Sequence, residues 1–234
     1  MARPADTLSS FCAKNETRDL CPVSRTRQES RATGYEIMSI KAVIFDLDGT
    51  ITRPFFDFDA IREEMGLPKD SGPILESMEK MTPPQRHRAE EILHFHESRA
   101  VVESVLNAGA KRTLSALRKA GIRIGILTRN RRSNALAIAK KHKLRFDTIV
   151  DREDGPVKPD AFGVMRICKE FDVTPDETLL VGDYLFDLLC AKAAGAVAVL
   201  LANHNKAEEF ARHADFTIET IDQIFQIIES RNSV

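Results

Sequence analysis

The sequence predicts an α/β protein: a doubly wound parallel sheet with a small helical insertion after its first strand. Short apolar, β-branched runs recur along the chain, the first at residues 42–45 and the last at 196–201. Segments of helical periodicity separate them, an alternation that argues for parallel strands with helices on both faces. One interval, 53–107, is much longer than the roughly 30 residues of a complete strand–helix–strand crossover. With 234 residues the chain can bury one sizeable core and a modest accessory unit.

Residues 1–37 are rich in Arg, Ser, Thr, Asp and Glu and show no helical or strand periodicity. They read as a disordered extension that folding and catalysis do not need. They contain no apolar stretch for a secretory signal, and Asp6, Glu16, Asp19 and Glu29 argue against a transit peptide. Met38, just before the first strand, is an alternative start. The core is expected over 38–52 and 108–234. After Thr50, apolar residues at three- and four-residue spacings predict helices over 58–65, 73–81 and 84–106, punctuated by Pro68, Gly72 and Pro83-Pro84. The alternation then becomes regular. A helix over 110–119 leads to a strand at 122–127, and a helix over 133–142 to a strand over 148–150. A helix over 160–171 precedes a strand over 178–181, and a helix over 184–193 precedes the strand at 196–201. Ligands in such folds bind beyond the carboxyl ends of the strands, near the reversal of strand order. Asp46, Thr128 and Asp183 all follow strand ends, and Lys158 reaches the same edge from the loop 155–160.

The stretch 42–50 carries the most chemistry. Residues i and i+2 of an extended chain share a face, so Asp46 and Asp48 are expected to point into one space. Two anions that close repel unless a cation lies between them or one takes a proton. A hard divalent ion with oxygen ligands, Mg²⁺ above all, resolves that conflict. Asp46 is a carboxylate nucleophile able to form an acyl phosphate. Asp48 can protonate a leaving oxygen and later activate water. Gly49 lets the backbone approach a phosphate closely. A second carboxylate pair, Asp183 and Asp187, lies four residues apart at a helix start and again invites a cation. Thr128 can donate to a phosphate oxygen, and Lys158 can neutralise developing charge. Taken singly, each has a plain reading as an Asp-Gly turn, a helix cap, a strand-end hydroxyl or a surface lysine.

In chain order the segments 42–50, 122–128, 155–160 and 179–187 resemble the four motifs of the haloacid dehalogenase-like (HAD) superfamily of phosphotransferases, with no motif residue missing. The resemblance runs from about Ile40 to the C-terminus. It implies that Asp46 accepts the phosphoryl group and that Asp46, Asp48 and Asp183 surround Mg²⁺, with Asp187 supporting the metal site. It also implies that Gly49, Thr128 and Lys158 hold the phosphate, and that 53–107 forms a helical cap. Dehalogenases of the superfamily carry an aromatic hydroxyl residue at the second acidic position, so Asp48 favours phosphoryl transfer. The motif spacing and cap look most like the phosphoglycolate phosphatase group. The expected activity is hydrolysis of a small phosphorylated metabolite through an aspartyl-phosphate. A phosphomutase with the same motifs is the alternative. A non-catalytic phospho-acceptor or binding protein is a further reading, opposed by the intact motifs, and a receiver domain would place its acceptor on a later strand and lack a cap.

Arg53, in the hinge to the insertion, and Arg129, after Thr128, are candidate substrate contacts. Arg131 and Arg132 read as solvated loop, and Phe55, Phe56 and Phe58 as cap core. His87, His94 and His96 read as surface residues, since His94 and His96 diverge on a helix. A formal net charge of -1 with 29% charged residues gives no reason to expect nucleic acid or an anionic membrane as partner. No apolar run approaches the roughly 20 residues of a membrane span. Cys12, Cys21, Cys168 and Cys190 form no metal-type pair and read as reduced thiols of a cytoplasmic protein. A monomer or homodimer is expected.

Overall fold

The computed structural model describes residues 39–232. The expectations for residues 1–37, Met38, Cys12 and Cys21 lie outside the described residues. The sheet begins with β1 (Ala42–Phe45), and its neighbours are β2 (Arg123–Leu127) on one side and β4 (Thr178–Gly182) on the other. With β3 (Thr148–Val150), β5 (Val197–Leu201) and β6 (Phe216–Ile218), the order is β3-β2-β1-β4-β5-β6, and every pairing is parallel. The chain thus moves outward from β1 through β2 to β3 and then crosses back to β4. Strand order reverses beside β1, where an open parallel sheet leaves a crevice at its carboxyl edge.

The two-residue period of the strands supplies both faces of the core. Val43 and Phe45 of β1, Leu179 and Val181 of β4, and Val197, Val199 and Leu201 of β5 pack into one apolar cluster. The alternate residues Ala42, Ile44, Leu180, Ala198 and Leu200 pack into a second cluster on the opposite face. The first is covered by α4 (Ala110–Lys119), α5 (Arg132–His142) and α9 (Ile224–Asn232). The second is covered by α6 (Phe162–Phe171), α7 (Leu185–Ala194) and the short α8 (Ala207–Ala211). Ile44 and Leu180 are fully buried, and truncating either to Ala should cost about 2–5 kcal/mol.

Between β1 and α4 the chain forms α1 (Phe58–Glu64), α2 (Ile74–Glu79) and α3 (Pro83–Glu103). Asp57 caps α1 by accepting from the N–H groups of Asp59 and Ala60. Thr82 and Gln85 form a capping box at the start of α3, whose first positions are prolines. Ile61, Ile74, Met78, Ala89 and Leu93 form a third apolar cluster, with Phe56, Met65 and Ile92 packed against it. The two chain segments entering and leaving this insertion lie side by side. The Arg53 N–H donates to Val105 O (2.8 Å), the Asn107 N–H donates to Ile51 O (3.0 Å), and Thr52 bridges Leu106. That pairing ends α3 at Glu103, short of the expected 106, and the Lys141 ammonium covers carbonyls of its last turn at Val102 (2.6 Å) and Ser104 (2.9 Å). Among the described residues no helix is long and apolar enough to cross a membrane.

Candidate active site

Each strand that ends at the crevice delivers one polar side chain. The Asp46 N–H donates to Val181 O (2.9 Å) and the Thr128 N–H to Val150 O (3.0 Å), so both residues leave the sheet in register with their neighbours. Gly182 ends β4, and a Cβ there would lie 2.2 Å from the Cβ of Asp187. Only glycine lets the first turn of α7 come this close, placing Asp187 beside Asp183. Asp46, Asp183 and Asp187 are all buried, and each offers a carboxylate oxygen within 4.8 Å of the others'.

The buried Lys158 ammonium joins two of them, at 2.5 Å from Asp46 Oδ1 and 2.6 Å from Asp187 Oδ1. Burial pushes the Asp46 carboxyl well above its usual range; Lys158 opposes this, and Asp187, Asp183 and Asp48 add to it. Burial alone would lower the Lys158 ammonium, but Asp187 and Asp46 outweigh it and raise it. Asp183 is pushed up to about 6 by burial and by Asp187, against a hydrogen bond from the Thr50 hydroxyl (2.9 Å). One ammonium therefore faces three carboxylates, and the excess negative charge resists full ionisation. A hard cation among these oxygens would relieve it, so the donor set fits a divalent ion such as Mg²⁺.

Asp48 has a different setting from the one expected of it. It is only half-buried, its Oδ2 accepts from Asn130 Nδ2 (3.0 Å), and it stands outside the cluster of three carboxylates but near enough for its charge to act on Asp46. The chain turns after Asp46, so the strict alternation that predicted a shared face no longer applies. Burial raises the Asp48 carboxyl to about 6, the Asn130 hydrogen bond opposes the rise, and the Glu97 charge adds to it. A carboxyl in that range can give and take a proton near neutral pH.

Gly49 has φ +99°, and a Cβ on it would sit 2.3 Å from Asp183 Oδ2. The turn is held by two asparagines from distant segments. Asn107 Nδ2 lies 2.7–3.1 Å from the carbonyls of Gly49, Thr50 and Thr52, and Asn203 Nδ2 donates to Gly49 O (2.6 Å). His204 Nε2 donates to Asp183 O (2.5 Å), while its Nδ1 accepts from the Lys206 N–H (3.1 Å), which places the proton on Nε2. The Thr128 hydroxyl is buried at the same edge and accepts from the Asn130 N–H (3.0 Å).

The remaining candidates differ more. Arg129 lies over Phe186, donates to Lys158 O, and pairs with the α2 carboxylate of Glu76 at 2.6 and 2.7 Å. Arg53 is exposed, and its backbone makes the hinge pairing with Val105. Arg131 and Arg132 are not simply solvated: Arg132 pairs with Asp154 (2.6 Å) and Arg131 with Glu153 (3.7 Å), because the acidic turn 151–154 faces the start of α5. His87 and His94 are exposed, but His96 is largely covered and pairs with Glu64 (3.0 Å), since α1 packs across this face of α3. Phe56 packs on the third cluster as expected, whereas Phe58 stacks on Phe56 with half its surface exposed. Cys168 and Cys190 are buried free thiols, and burial pushes Cys190 up to about 12.

Sequence reasoning missed Thr50, Glu97, Asn107, Asn130, Asn134, Arg152, Asn203 and His204. Asn130 could have been noticed two residues after Thr128. Asn107 and Asn203 carry no local signal, since each acts on a turn more than 50 residues away.

Comparison with known proteins identifies similar chains and folds. A family model described as haloacid dehalogenase-like hydrolase matches residues 40–195. An uncharacterised hydrolase of Saccharomyces cerevisiae is 31% identical over 202 residues, covering 82% of this chain and 93% of the yeast protein. A phosphoglycolate phosphatase of Chromobacterium violaceum is 24% identical over 217 residues, covering 82% and 97%. The crystal structure of a hydrolase from Pseudomonas syringae superposes with a TM-score of 0.70 at 25% identity, covering 81% of this chain and 98% of that one.

Proposed function

Since the chain belongs to the haloacid dehalogenase-like hydrolase family, we propose that it is a Mg²⁺-dependent phosphatase that hydrolyses a small phosphorylated metabolite through an aspartyl-phosphate on Asp46. The observation that carries this reading is the Asp46 carboxylate, buried at the crevice beside Lys158 and backed by Asp183 and Asp187. Asp46 and Asp183 would hold the ion, with Asp187 within reach of it. When bound, the ion neutralises phosphate oxygens and draws electron density from phosphorus.

In the first step an Asp46 carboxylate oxygen forms a bond to phosphorus while the ester oxygen leaves. Asp48 gives its proton to that oxygen, and the product alcohol departs. Lys158 and the Thr128 hydroxyl hold the phosphoryl oxygens while their charge develops. In the second step water attacks phosphorus and Asp48 takes its proton. The acyl phosphate bond breaks, returning the Asp46 carboxylate and inorganic phosphate.

The insertion carrying α1–α3 is assigned as a cap over the crevice, a role supported by its separate apolar cluster and its paired hinge strands. The similarity to phosphoglycolate phosphatase makes phosphorylated small carboxylic acids the first substrates to test. Arg129 is suited to their second anionic group. The buried free thiols Cys168 and Cys190 fit a reducing, cytoplasmic setting. A panel of phosphorylated metabolites, assayed for released phosphate with and without Mg²⁺, tests the reading. Turnover of at least one small monoester should require Mg²⁺, disappear in excess chelator, and fall at least about 1,000-fold in Asp46→Asn. Undiminished turnover in that variant or in chelator would overturn it.

A further inference from the structure

A chain of hydrogen bonds leads from the proposed acid Asp48 to a buried ion pair between Glu97 of the insertion and Arg152 of the core. Asn130 Nδ2 donates to Asp48 Oδ2 (3.0 Å). Asn130 Oδ1 accepts from the Arg131 N–H (2.7 Å) and from Asn134 Nδ2 (2.8 Å). Those two donors settle which end of the Asn130 amide faces Asp48, because a flipped amide would oppose donor to donor at both. Asn134 Nδ2 uses its other hydrogen on Glu97 Oε2 (3.3 Å). The Glu97 side chain, on α3, is 4% exposed and is gripped by both terminal guanidinium nitrogens of Arg152, Nη1 on Oε1 and Nη2 at 3.1 Å from Oε2. Arg152 also donates to Arg129 O (3.2 Å), steadying the loop that carries Asn130.

Buried ion pairs contribute little net stability relative to apolar packing of the same volume. Here the pair ends a polar chain at a proton-transferring group, and the chain draws on α3, α5 and two crevice loops. We propose that Glu97 and Asn134 are positioning residues for Asp48: Glu97 orients Asn134, Asn134 orients the Asn130 amide, and that amide aims the Asp48 carboxyl at the leaving oxygen. The insertion thereby acts on the acid itself, besides covering the crevice. This inference rests on the phosphatase reading and deepens it.

The test compares kcat/KM for two monoesters, glycerol phosphate and 4-nitrophenyl phosphate. The alkoxide of the first is a poor leaving group that needs a proton, whereas nitrophenolate departs without one. Because kcat/KM reports the steps through phosphoryl transfer to Asp46, later hydrolysis does not enter. Asn134→Ala leaves the Glu97–Arg152 pair intact, and Glu97→Gln removes its charge. Both should lower kcat/KM for glycerol phosphate at least about 10-fold while changing the aryl ester less than about 2-fold. A purely structural role would lower both esters alike or neither, and that result in Asn134→Ala, with an unchanged melting temperature, overturns the proposal even where Glu97→Gln does not fold. Asp48→Asn is the control. If it shows the leaving-group dependence and Asn134→Ala does not, only this inference fails. If the wild type hydrolyses neither these esters nor any monoester of the metabolite panel, or Asp48→Asn shows no such dependence, the phosphatase reading fails and takes this inference with it.

Discussion

Gly49 shows how narrowly the crevice is built at the level of single residues. Its positive φ and its contact with Asp183 leave no room for a methyl group. Gly49→Ala should keep the sheet but displace the Asp183 carboxylate, so the Mg²⁺ concentration for half-maximal turnover should rise about 10-fold or more. A titration of activity against Mg²⁺ checks this. Arg129 supplies a second test at this scale, because its guanidinium is held by Glu76. If Arg129 receives the anionic tail of the substrate, that tail must exchange with the Glu76 carboxylate. Arg129→Met should then raise KM for a carboxylate-bearing phosphate about 10-fold, and Glu76→Gln should lower it, with little change for an uncharged ester. Equal effects on both esters would remove Arg129 from substrate recognition. That Asp46, Asp183, Asp187 and Lys158 come together was legible from the strand ends and from the order of the motifs, although Lys158 taken alone reads as a surface lysine. Asn107, Asn203 and Glu97 were not, since each depends on a partner far along the chain. The hydrogen bond from Asn130 to Asp48 was not legible either, since it joins residues 82 positions apart.

Among the elements, β1 to β5 could be read almost residue by residue, because each is an apolar run flanked by helices on both faces. The edge strand β6 and the short α8 could not. Three strand residues carry almost no period, and Phe216–Ile218 is fixed only by pairing with β5. One side chain illustrates how loops are fastened to strands. Asp147 accepts from the Ile124 N–H (2.8 Å) and from Arg118 (2.7 Å), joining the start of β2 to the approach to β3. Burial alone would raise its carboxyl, but the Arg118 and Ile124 hydrogen bonds outweigh that and hold it below 3.8. The group titrates at lower pH in the folded chain than in the unfolded one. Its stabilisation is therefore complete above the unfolded value near 3.8 and fades as the pH falls through the folded value. Asp147→Ala should cost about 1–2 kcal/mol at pH 7. Denaturant unfolding at pH 7 and pH 3 should show that gap narrowing in acid; a constant gap would assign the effect to packing alone.

For the whole molecule, the roles proposed for Asp46, Asp48, Thr128, Lys158 and Asp183 account for a phosphate, a cation and a proton, and assign none of them a part of the substrate beyond the phosphoryl group. We propose that residues 53–107, the longest insertion among the described residues, set the discrimination among substrates. Replacing that interval with a short linker, and confirming by circular dichroism that the remainder folds, should leave 4-nitrophenyl phosphate hydrolysis measurable. Discrimination among metabolite esters should collapse. A trimmed chain that ranks metabolites as the parent does would place specificity in the core loops. The central claim is covalent: the phosphoryl group passes through Asp46. Its most direct test is to incubate the Mg²⁺-loaded enzyme with a turned-over monoester, quench in acid, and map the phosphoryl group by peptide mass spectrometry. It should be found on the peptide containing Asp46, appear within the first turnover, and be absent from Asp46→Asn. Full-rate hydrolysis with no label at Asp46, or with label on another residue, would contradict it.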